Sequence, residues 1–313
     1  MSLAFVFPGQ GSQSVGMLSD LAREHVQIKA TFAEASSVLG DDLWQTVELG
    51  PEEKLNQTQI TQPAMLAAGV AVWRVWLASK GPRPSFMAGH SLGEYTALVC
   101  AEALTFTDAI TLVADRGRYM QEAVPAGQGG MAAILGLDDA AVEQLCRQAA
   151  EGEVLEAVNF NSPGQVVVAG TAAAIARAVE QSKALGAKRA VILPVSVPAH
   201  CALMHPAALR MAVRLTQVKI RPPILPVIHN AHVQAESDPE AIRRALVRQV
   251  ESPVRWVQTI QKMAADGVDR LVECGPGKVL AALNKRIVST VETLPAYDAV
   301  TLAKSLAALA AAK

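Results

Sequence analysis

The segment Gly89-His90-Ser91-Leu92-Gly93 places a serine between two glycines in the pattern Gly-x-Ser-x-Gly. In this pattern the glycines permit a strained turn that lifts the serine hydroxyl out between a strand and a helix. The apolar run 86–89 predicts such a strand, and 91–101 predicts the helix that follows. The sequence therefore predicts a nucleophile at Ser91, with the backbone N–H of Leu92 at the start of the helix facing an oxyanion.

A serine hydroxyl becomes a useful nucleophile only when a neighbouring base removes its proton, and histidine is the usual base near neutral pH. The chain has six histidines, and His200, in a turn after a predicted strand, is the favoured candidate. Four others are more typical of structural histidines: His25, His90, His229 and His232. Cys201 could offer a thiol nucleophile instead, although a small buried hydrophobic residue is the better interpretation.

The loop Gly9-Gln10-Gly11-Ser12-Gln13 follows the first predicted strand, 3–7. It does not match the dinucleotide-binding pattern Gly-x-Gly-x-x-Gly, because position 14 is Ser14. Its backbone N–H groups could supply a second oxyanion donor near the serine turn. A plain turn between a strand and a helix is the alternative.

Arg116 lies 25 residues after Ser91 on a predicted helix that would pack beside the serine helix. Helical periodicity alone favours an arginine on the surface. A buried arginine near a nucleophile would have one strong use, which is the bidentate binding of a substrate carboxylate. Periodicity leaves both interpretations open.

Composition excludes several classes of protein. The net charge of −1 gives no bulk positive field for nucleic acid or anionic lipid, and 51% apolar residues exclude a mainly disordered chain. Charge is nevertheless uneven, because residues 1–125 carry 8 basic against 13 acidic residues and residues 126–313 carry 20 against 16. An acidic partner would therefore prefer the second part of the chain.

The four cysteines, at 100, 146, 201 and 274, have no spacing that favours a disulfide framework or a metal site. We expect a reducing cytoplasm and no bound metal. The longest apolar run ends at Arg74 after ten residues, and no basic region precedes the apolar residues 3–7. These features predict neither a membrane span nor a signal peptide.

The apolar pattern changes period several times between residues 130 and 193. It predicts, in order, strand 130–135, helix 138–150, strand 154–160, strand 165–170, helix 171–185 and strand 188–193. This β-α-β-β-α-β order is the ferredoxin-like split unit. We predict a small inserted domain at 126–197, with the rest of the chain forming an α/β pattern on either side of it.

Local sequence also predicts the behaviour of two segments outside the small domain. A helix over 62–80 would place Pro63 in its first turn, where the missing N–H is harmless. The Ala-rich tail after Leu302 is expected to fray or to dock weakly.

Seven segments, in order along most of the chain, make the sequence resemble the malonyl-CoA:acyl carrier protein transacylase family of bacterial fatty-acid synthesis. They are Phe7-Pro8-Gly9-Gln10-Gly11-Ser12-Gln13, Thr61-Gln62-Pro63-Ala64, Gly89 to Glu94, Arg116-Gly117 with Met120-Gln121, Asn159 to Gln165, Val197 to Met204, and Glu273-Cys274-Gly275-Pro276-Gly277. The resemblance implies an α/β-hydrolase-like catalytic domain with a parallel sheet, at 1–125 and 198–313. It also implies a ferredoxin-like small domain at 126–197.

The resemblance implies a role for each matching residue. Ser91 would be acylated, with His200 as its base and the backbone carbonyl of Gln249 orienting that histidine. The N–H groups of Gln10 and Leu92 would form the oxyanion hole, Arg116 would hold the malonyl carboxylate, and Gln62, Met120 and Asn161 would line the pocket. One departure is Ala199, where bacterial relatives often carry serine.

The implied activity is transfer of malonyl from malonyl-CoA to holo-acyl carrier protein through a malonyl-serine intermediate, in fatty-acid biosynthesis. Coenzyme A thioester would be a substrate, with no tightly bound cofactor, no nucleic acid and no membrane involved. Candidate contacts for the acidic carrier protein are Lys188, Arg189, Lys285 and Arg286. Two other functions share some of these features: a serine hydrolase such as a thioesterase, and a non-catalytic module that only binds carrier protein.

Overall fold

The computed structural model describes residues 2–195 and 197–311. Ser196 lies outside the described residues. The strands are β1 Leu3–Phe7, β2 Phe86–Gly89, β3 Gly129–Leu135, β4 Leu155–Ser162, β5 Gln165–Thr171, β6 Arg189–Ile192, β7 Val227–Ile228, β8 Arg270–Cys274 and β9 Glu292–Ala296. The helices are α1 Ser19–Glu24, α2 Val26–Leu39, α3 Leu43–Leu49, α4 Glu52–Leu55, α5 Thr58–Ala78, α6 Gly93–Cys100, α7 Phe106–Ala123, α8 Asp139–Ala149, α9 Ala172–Ala184, α10 His205–Leu215, α11 Pro239–Val250, α12 Trp256–Ala265, α13 Val279–Ile287 and α14 Ala299–Ala310, with a 3₁₀ turn at Ala202–Met204.

The larger sheet has five parallel strands in the order β7-β2-β1-β8-β9. Every residue of β1 is buried, as expected for an apolar strand covered on both faces by helices. Phe7 pairs with Gly89 across β1 and β2, so the two strands end side by side. The loop that carries Gln10 and the turn that carries Ser91 therefore leave the same edge of the sheet.

The smaller sheet is antiparallel, with the order β4-β5-β3-β6. Its helices α8 and α9 pack against it around a separate apolar core that includes Ile134, Leu145, Val166 and Ile175. The predicted β-α-β-β-α-β order is confirmed, and with it the fold class of an α/β protein that has a parallel sheet and a ferredoxin-like unit. The exact boundaries 126–197 stay a prediction.

The small sheet is attached through β4 to a segment outside both sheets. The Phe160 N–H donates to the Val254 carbonyl at 3.0 Å, and the Val254 N–H donates to the Val158 carbonyl at 2.8 Å. These bonds attach β4 to the segment just before α12. The next residue, Arg255, donates its N–H to the Asn230 carbonyl at 3.2 Å, and the Asn230 side chain bonds to the Ser91 N–H, so this segment connects β4 to the serine turn.

Two local predictions were wrong. Helix α5 begins at Thr58, so Pro63 lies in its second turn. The residues before Pro63 are mostly polar and gave no apolar periodicity. The tail was expected to fray or to dock weakly, and fraying is wrong for the residues described up to 311: they form α14, which begins at a capping box between Asp298 and Thr301 and buries Leu302 and Leu309.

The four cysteines are free and buried. Over residues 2–195 and 197–311, no cluster of three or more His, Cys, Asp or Glu side chains is arranged to hold a metal ion. A search of the helices in those same ranges finds none that could span a membrane.

Candidate active site

Ser91 occupies a tight turn between β2 and α6 with a positive φ of 51°. A Cβ on Gly89 would lie 1.8 Å from the Gly93 carbonyl carbon, and a Cβ on Gly93 would lie 2.1 Å from the Phe7 carbonyl oxygen. Because these neighbours are backbone atoms, only glycine fits at either position. The two glycines of the motif are thus required by backbone contact as well as by the turn.

The side chain of Asn230 forms hydrogen bonds to both ends of this turn. Its Oδ1 accepts from the Ser91 N–H at 2.7 Å, and its Nδ2 donates to the Gly89 carbonyl at 2.7 Å. Asn230 is buried, and nothing in the sequence around it identifies this role. Its side chain holds the two ends of the serine turn together.

His200 lies against the serine hydroxyl. The His200 Nε2 is 2.7 Å from the Ser91 Oγ, and its Nδ1 is 2.8 Å from the Gln249 carbonyl oxygen. A carbonyl can only accept, so we assign the ring proton to Nδ1, which leaves Nε2 free to accept the serine proton. The arrangement is a base that is oriented by a backbone carbonyl rather than by an acid.

The environment keeps His200 neutral. The residue is 1% exposed, and burial together with the nearby positive charge of Arg116 lowers its pKa to about 3. Burial is the larger of these two effects on the pKa, and the hydrogen bond to the Gln249 carbonyl opposes both. A histidine that stays neutral can act as a base throughout the physiological pH range.

Three of the other histidine candidates form hydrogen bonds with side chains other than Ser91. His90 Nε2 lies 2.8 Å from Asn161 Oδ1, His229 Nδ1 lies 2.7 Å from Glu94 Oε1, and His232 Nε2 lies 3.1 Å from Glu236 Oε1. Cys201 is also buried, its thiol donates to the Pro198 carbonyl, and burial raises its pKa to about 12. None of these four side chains is placed as Ser91 and His200 are.

Arg116 is buried, so the surface position that periodicity favours is wrong. Its Nη1 donates to Gln62 Oε1 at 2.9 Å, and its Nη2 donates to Gln249 Oε1 at 2.9 Å and lies 3.4 Å from Ser91 Oγ. The guanidinium also packs over the Tyr95 ring, 5.4 Å from its centroid. Within the described residues Arg116 has no acidic partner at salt-bridge distance, and the acceptors that it bonds to directly are neutral oxygens.

The predicted oxyanion donors flank Ser91. Gln10 follows β1 and Leu92 follows Ser91, and both contribute to the lining of the same cavity as the serine. Among the residues that the structure describes, neither backbone N–H is paired with an acceptor. Both groups are therefore available to a substrate oxygen.

The cavity above Ser91 has a volume of about 120 Å³. Its lining includes Gln62 and Met120, as expected, together with Met131, Asn159, Leu193 and Val195. Asn161 does not line the cavity but bonds to His90, which does. Asn159 lines the cavity instead. The resemblance implied Asn161 as a pocket residue, and the pairing of β4 with β5 is irregular between Ala157 and Ser162, around both asparagines.

A buried carboxylate that the sequence did not single out lies beneath the site. Glu94 is fully buried in the first turn of α6. Its Oε1 lies 2.7 Å from His229 Nδ1, and its Oε2 accepts from the Asn230 N–H at 2.9 Å and from Gln249 Nε2 at 3.0 Å. Its position directly after the serine motif is the one signal that could have drawn attention to it.

The four basic residues suggested for carrier-protein binding are exposed. The Lys188 N–H donates to the Leu135 carbonyl, the Gly136 N–H donates to the Gly164 carbonyl, and the Arg286 Nη2 donates to the Pro163 carbonyl at 3.0 Å. These bonds bring the pair Lys188-Arg189 and the pair Lys285-Arg286 to the same turn of the small sheet. Arg286 is partly engaged there, since its Nη1 also donates to Gln165 Oε1.

Residues 4–308 match the model of a protein family described as the acyl transferase domain. Two relatives are each called malonyl CoA-acyl carrier protein transacylase. The one from Salmonella typhimurium is 55% identical over 303 residues, covering 97% of this chain and 98% of the relative. The one from Escherichia coli strain K12 is 58% identical over 287 residues, covering 92% and 93%.

Solved structures give the same comparison. A malonyl-transacylase in complex with its type II PKS acyl-carrier protein superposes with a TM-score of 0.97 at 53% identity, covering 98% of this chain and 100% of that one. An acyl carrier protein S-malonyltransferase from Vibrio cholerae superposes with a TM-score of 0.95 at 56% identity, covering 97% and 100%. The whole fold is shared with these structures.

Proposed function

The chain belongs to the acyl transferase domain family, among its malonyl-CoA:acyl carrier protein transacylases, and from this premise we propose how its own residues carry out the transfer. The enzyme is an acyl carrier protein S-malonyltransferase. It moves malonyl from malonyl-CoA to the phosphopantetheine thiol of holo-acyl carrier protein. Because malonyl is bound covalently to Ser91 between the two half-reactions, the reaction is expected to follow ping-pong kinetics.

In the first half-reaction, the Ser91 Oγ attacks the thioester carbonyl carbon while its proton passes to the His200 Nε2. The resulting oxyanion lies against the N–H groups of Gln10 and Leu92. The tetrahedral intermediate then breaks its carbon–sulfur bond, and His200 returns the proton to the departing coenzyme A thiolate. The products are malonyl-Ser91 and free coenzyme A.

The second half-reaction reverses these roles. His200 takes the proton of the carrier-protein thiol, and the thiolate attacks the malonyl ester carbonyl. The oxyanion is bound as before, and the carbon–oxygen bond breaks as Ser91 regains its proton from His200. These steps use only the acid–base and covalent chemistry of the chain's side chains, with coenzyme A as part of the substrate.

The observation that carries this proposal is the 3.4 Å distance between the Arg116 Nη2 and the Ser91 Oγ. A buried cation without an acidic partner, placed beside the nucleophile, fits an acyl group whose far end is a carboxylate. The cavity of about 120 Å³ also suits a short acyl group rather than a long chain. Both features favour malonyl transfer over the thioesterase alternative.

Three further assignments belong to the same proposal. The exposed Lys188, Arg189, Lys285 and Arg286 would receive the acidic carrier protein, because opposite charges steer association. Malonyl carrier protein is the extender substrate of fatty-acid biosynthesis, and we place the reaction there. We place it in the cytoplasm, where reduced buried cysteines are stable.

Intact-mass spectrometry tests the function directly. The wild-type protein mixed with malonyl-CoA should gain the mass of one malonyl group, peptide mapping should locate it on Ser91, and holo-acyl carrier protein should remove it. The variant Ser91→Ala should gain nothing. Rapid loss of the adduct to water without carrier protein would identify a hydrolase, and absence of any adduct on the wild type would identify a binding module.

A further inference from the structure

We propose that the side chains of Glu94 and Gln249 are positioning residues that hold Arg116 in the orientation needed to select a malonyl group. The inference rests on the proposed function, since it concerns how the Arg116 site is built. It gives the Gln249 side chain a role separate from that of its backbone carbonyl. It also gives a role to Glu94, which has none in the two half-reactions.

Gln249 contacts three parts of the site with three different atoms. Its backbone oxygen is 2.8 Å from the His200 Nδ1. Its side-chain Oε1 accepts from the Arg116 Nη2 at 2.9 Å, and its Nε2 donates to the Ser91 carbonyl at 2.9 Å. The side chain therefore links the arginine to the serine turn without involving the histidine.

Glu94 and the Ser91 carbonyl together decide which way the Gln249 amide points, since both can only accept a hydrogen bond. The Nε2 of that amide lies 3.0 Å from Glu94 Oε2, and a carboxylate can only accept. The amide must therefore turn its NH₂ group toward Glu94, which leaves its oxygen facing Arg116. In the opposite orientation an NH₂ group would face the guanidinium donors, and the amide would lose its three hydrogen bonds, to Arg116, to the Ser91 carbonyl and to Glu94.

This arrangement supports the cation without neutralising it. The charge of Glu94 lies beyond the Gln249 amide, and the nearest acceptors of Arg116 are the neutral oxygens of Gln62 and Gln249. These acceptors engage one proton on each terminal nitrogen, and the Nη2 atom still reaches toward Ser91. A carboxylate bonded directly to Arg116 would instead occupy the site that the malonyl group needs.

A double-mutant cycle with Gln249→Met and Arg116→Ala tests the proposal. Methionine keeps the side-chain length and leaves the backbone carbonyl for His200, while it removes the amide. We expect the ratio of kcat/KM for malonyl-CoA to that for acetyl-CoA to fall by about tenfold or more in Gln249→Met. In the Arg116→Ala background the same change should leave the ratio within about twofold, because the residue through which it acts is gone.

Glu94→Gln provides a second variant that does not depend on the first. The new amide can donate as well as accept, so it no longer favours one orientation of Gln249, which is then held by the Ser91 carbonyl and Arg116 alone. The ratio should fall at least about threefold, and this effect should also vanish in the Arg116→Ala background. Ser305→Ala is the matched control: this residue is equally buried, lies on α14 at the far edge of the large sheet, and donates to the Pro295 carbonyl. It should leave the ratio unchanged.

Equal losses for both thioesters in Gln249→Met or Glu94→Gln would overturn the proposal, because a general structural role lowers both. Additive losses in the Arg116→Ala background would overturn it as well. Failure of the proposed function gives a different result: Arg116→Ala itself would then leave the ratio unchanged, or the wild type would carry no malonyl on Ser91.

Discussion

Ser91 and His200, whose side chains meet at 2.7 Å, both have backbone conformations in the left-handed region, with φ of 51° and 67°. Residues other than glycine adopt this region at a cost, so the surrounding structure must hold them there. For Ser91 that support is the side chain of Asn230, and for His200 it includes the bond to the Gln249 carbonyl. The reacting pair is therefore positioned by contacts that are distant in sequence.

Asn230→Ala should destabilise the protein and slow acylation of Ser91. Loss of the amide leaves the Ser91 N–H and the Gly89 carbonyl buried without partners, at a cost of about 1–3 kcal/mol for each group. Urea denaturation gives the free energy of unfolding, and Asn56→Ala, which removes an exposed amide bonded to Gln13, is the control. Equal stability of Asn230→Ala and Asn56→Ala would show that the brace contributes nothing.

Acylation should be insensitive to pH on the acid side of neutrality. Burial and the charge of Arg116 hold the pKa of His200 at about 3, so the free enzyme keeps its base neutral between about pH 5 and pH 8. The value of kcat/KM for malonyl-CoA should therefore stay constant over that pH range. A decline with a midpoint near pH 6.5 would mean that His200 titrates like an exposed histidine.

Glu273 should make stability depend on pH in the opposite sense to most carboxylates. Burial raises its pKa from 4.5 to about 7, although N–H groups at the start of α13 oppose the shift. Between these pH values the unfolded chain has released a proton that the folded state retains, so the Glu273 contribution to stability falls as pH rises from about 4.5 to about 7. The loss amounts to about 3 kcal/mol.

The measurement is the free energy of unfolding of the wild type minus that of Glu273→Gln, determined at several pH values. The difference should become less favourable to the wild type from about pH 4.5 to about pH 7 and then level off. Comparing the two proteins removes the contributions of other titrating groups, including His200. A difference that does not change with pH would contradict the assignment.

Lys285→Glu should weaken the interaction with carrier protein and leave the reaction with malonyl-CoA largely unchanged. Lys285 is preferable to Arg286 for this test, since Arg286 also bonds to the Pro163 carbonyl and to Gln165. We expect a higher apparent KM for holo-acyl carrier protein with a weaker dependence on salt. Lys304→Glu, an exposed charge reversal on α14, serves as the control. Equal effects on the KM values of both substrates would argue against a docking surface.

Local sequence predicted the serine turn and the small sheet well, because their signals are short-range. The two glycines around Ser91 and the alternating apolar residues of β3 to β6 are direct consequences of local backbone geometry. The start of α5 at Thr58 was missed because its first turn carries no apolar pattern. Helix α14 was missed because its buried face depends on an edge of the sheet that only the tertiary structure creates.

Long-range contacts could not be predicted from spacing. Burial of Arg116 depends on Gln62 and Gln249, which lie 54 residues before it and 133 residues after it. The brace from Asn230 to Ser91 spans 139 residues. Resemblance to a family identified Arg116 and the Gln249 carbonyl, but the Gln249 side chain and Glu94 required the structure.

The central claim is that Arg116 selects a carboxylate-bearing acyl group for Ser91, and kcat/KM for malonyl-CoA and acetyl-CoA in wild type and Arg116→Ala tests it most directly. Charged hydrogen bonds contribute about 1.5–3 kcal/mol each, so malonyl-CoA should lose a factor on the order of 10². Arg116→Lys should recover only part of this, because a point charge does not reproduce the planar fork. Acetyl-CoA, which lacks the carboxylate, should lose little. An equal fall for both thioesters would contradict the account, since Arg116 would then support the fold or the serine rather than the substrate.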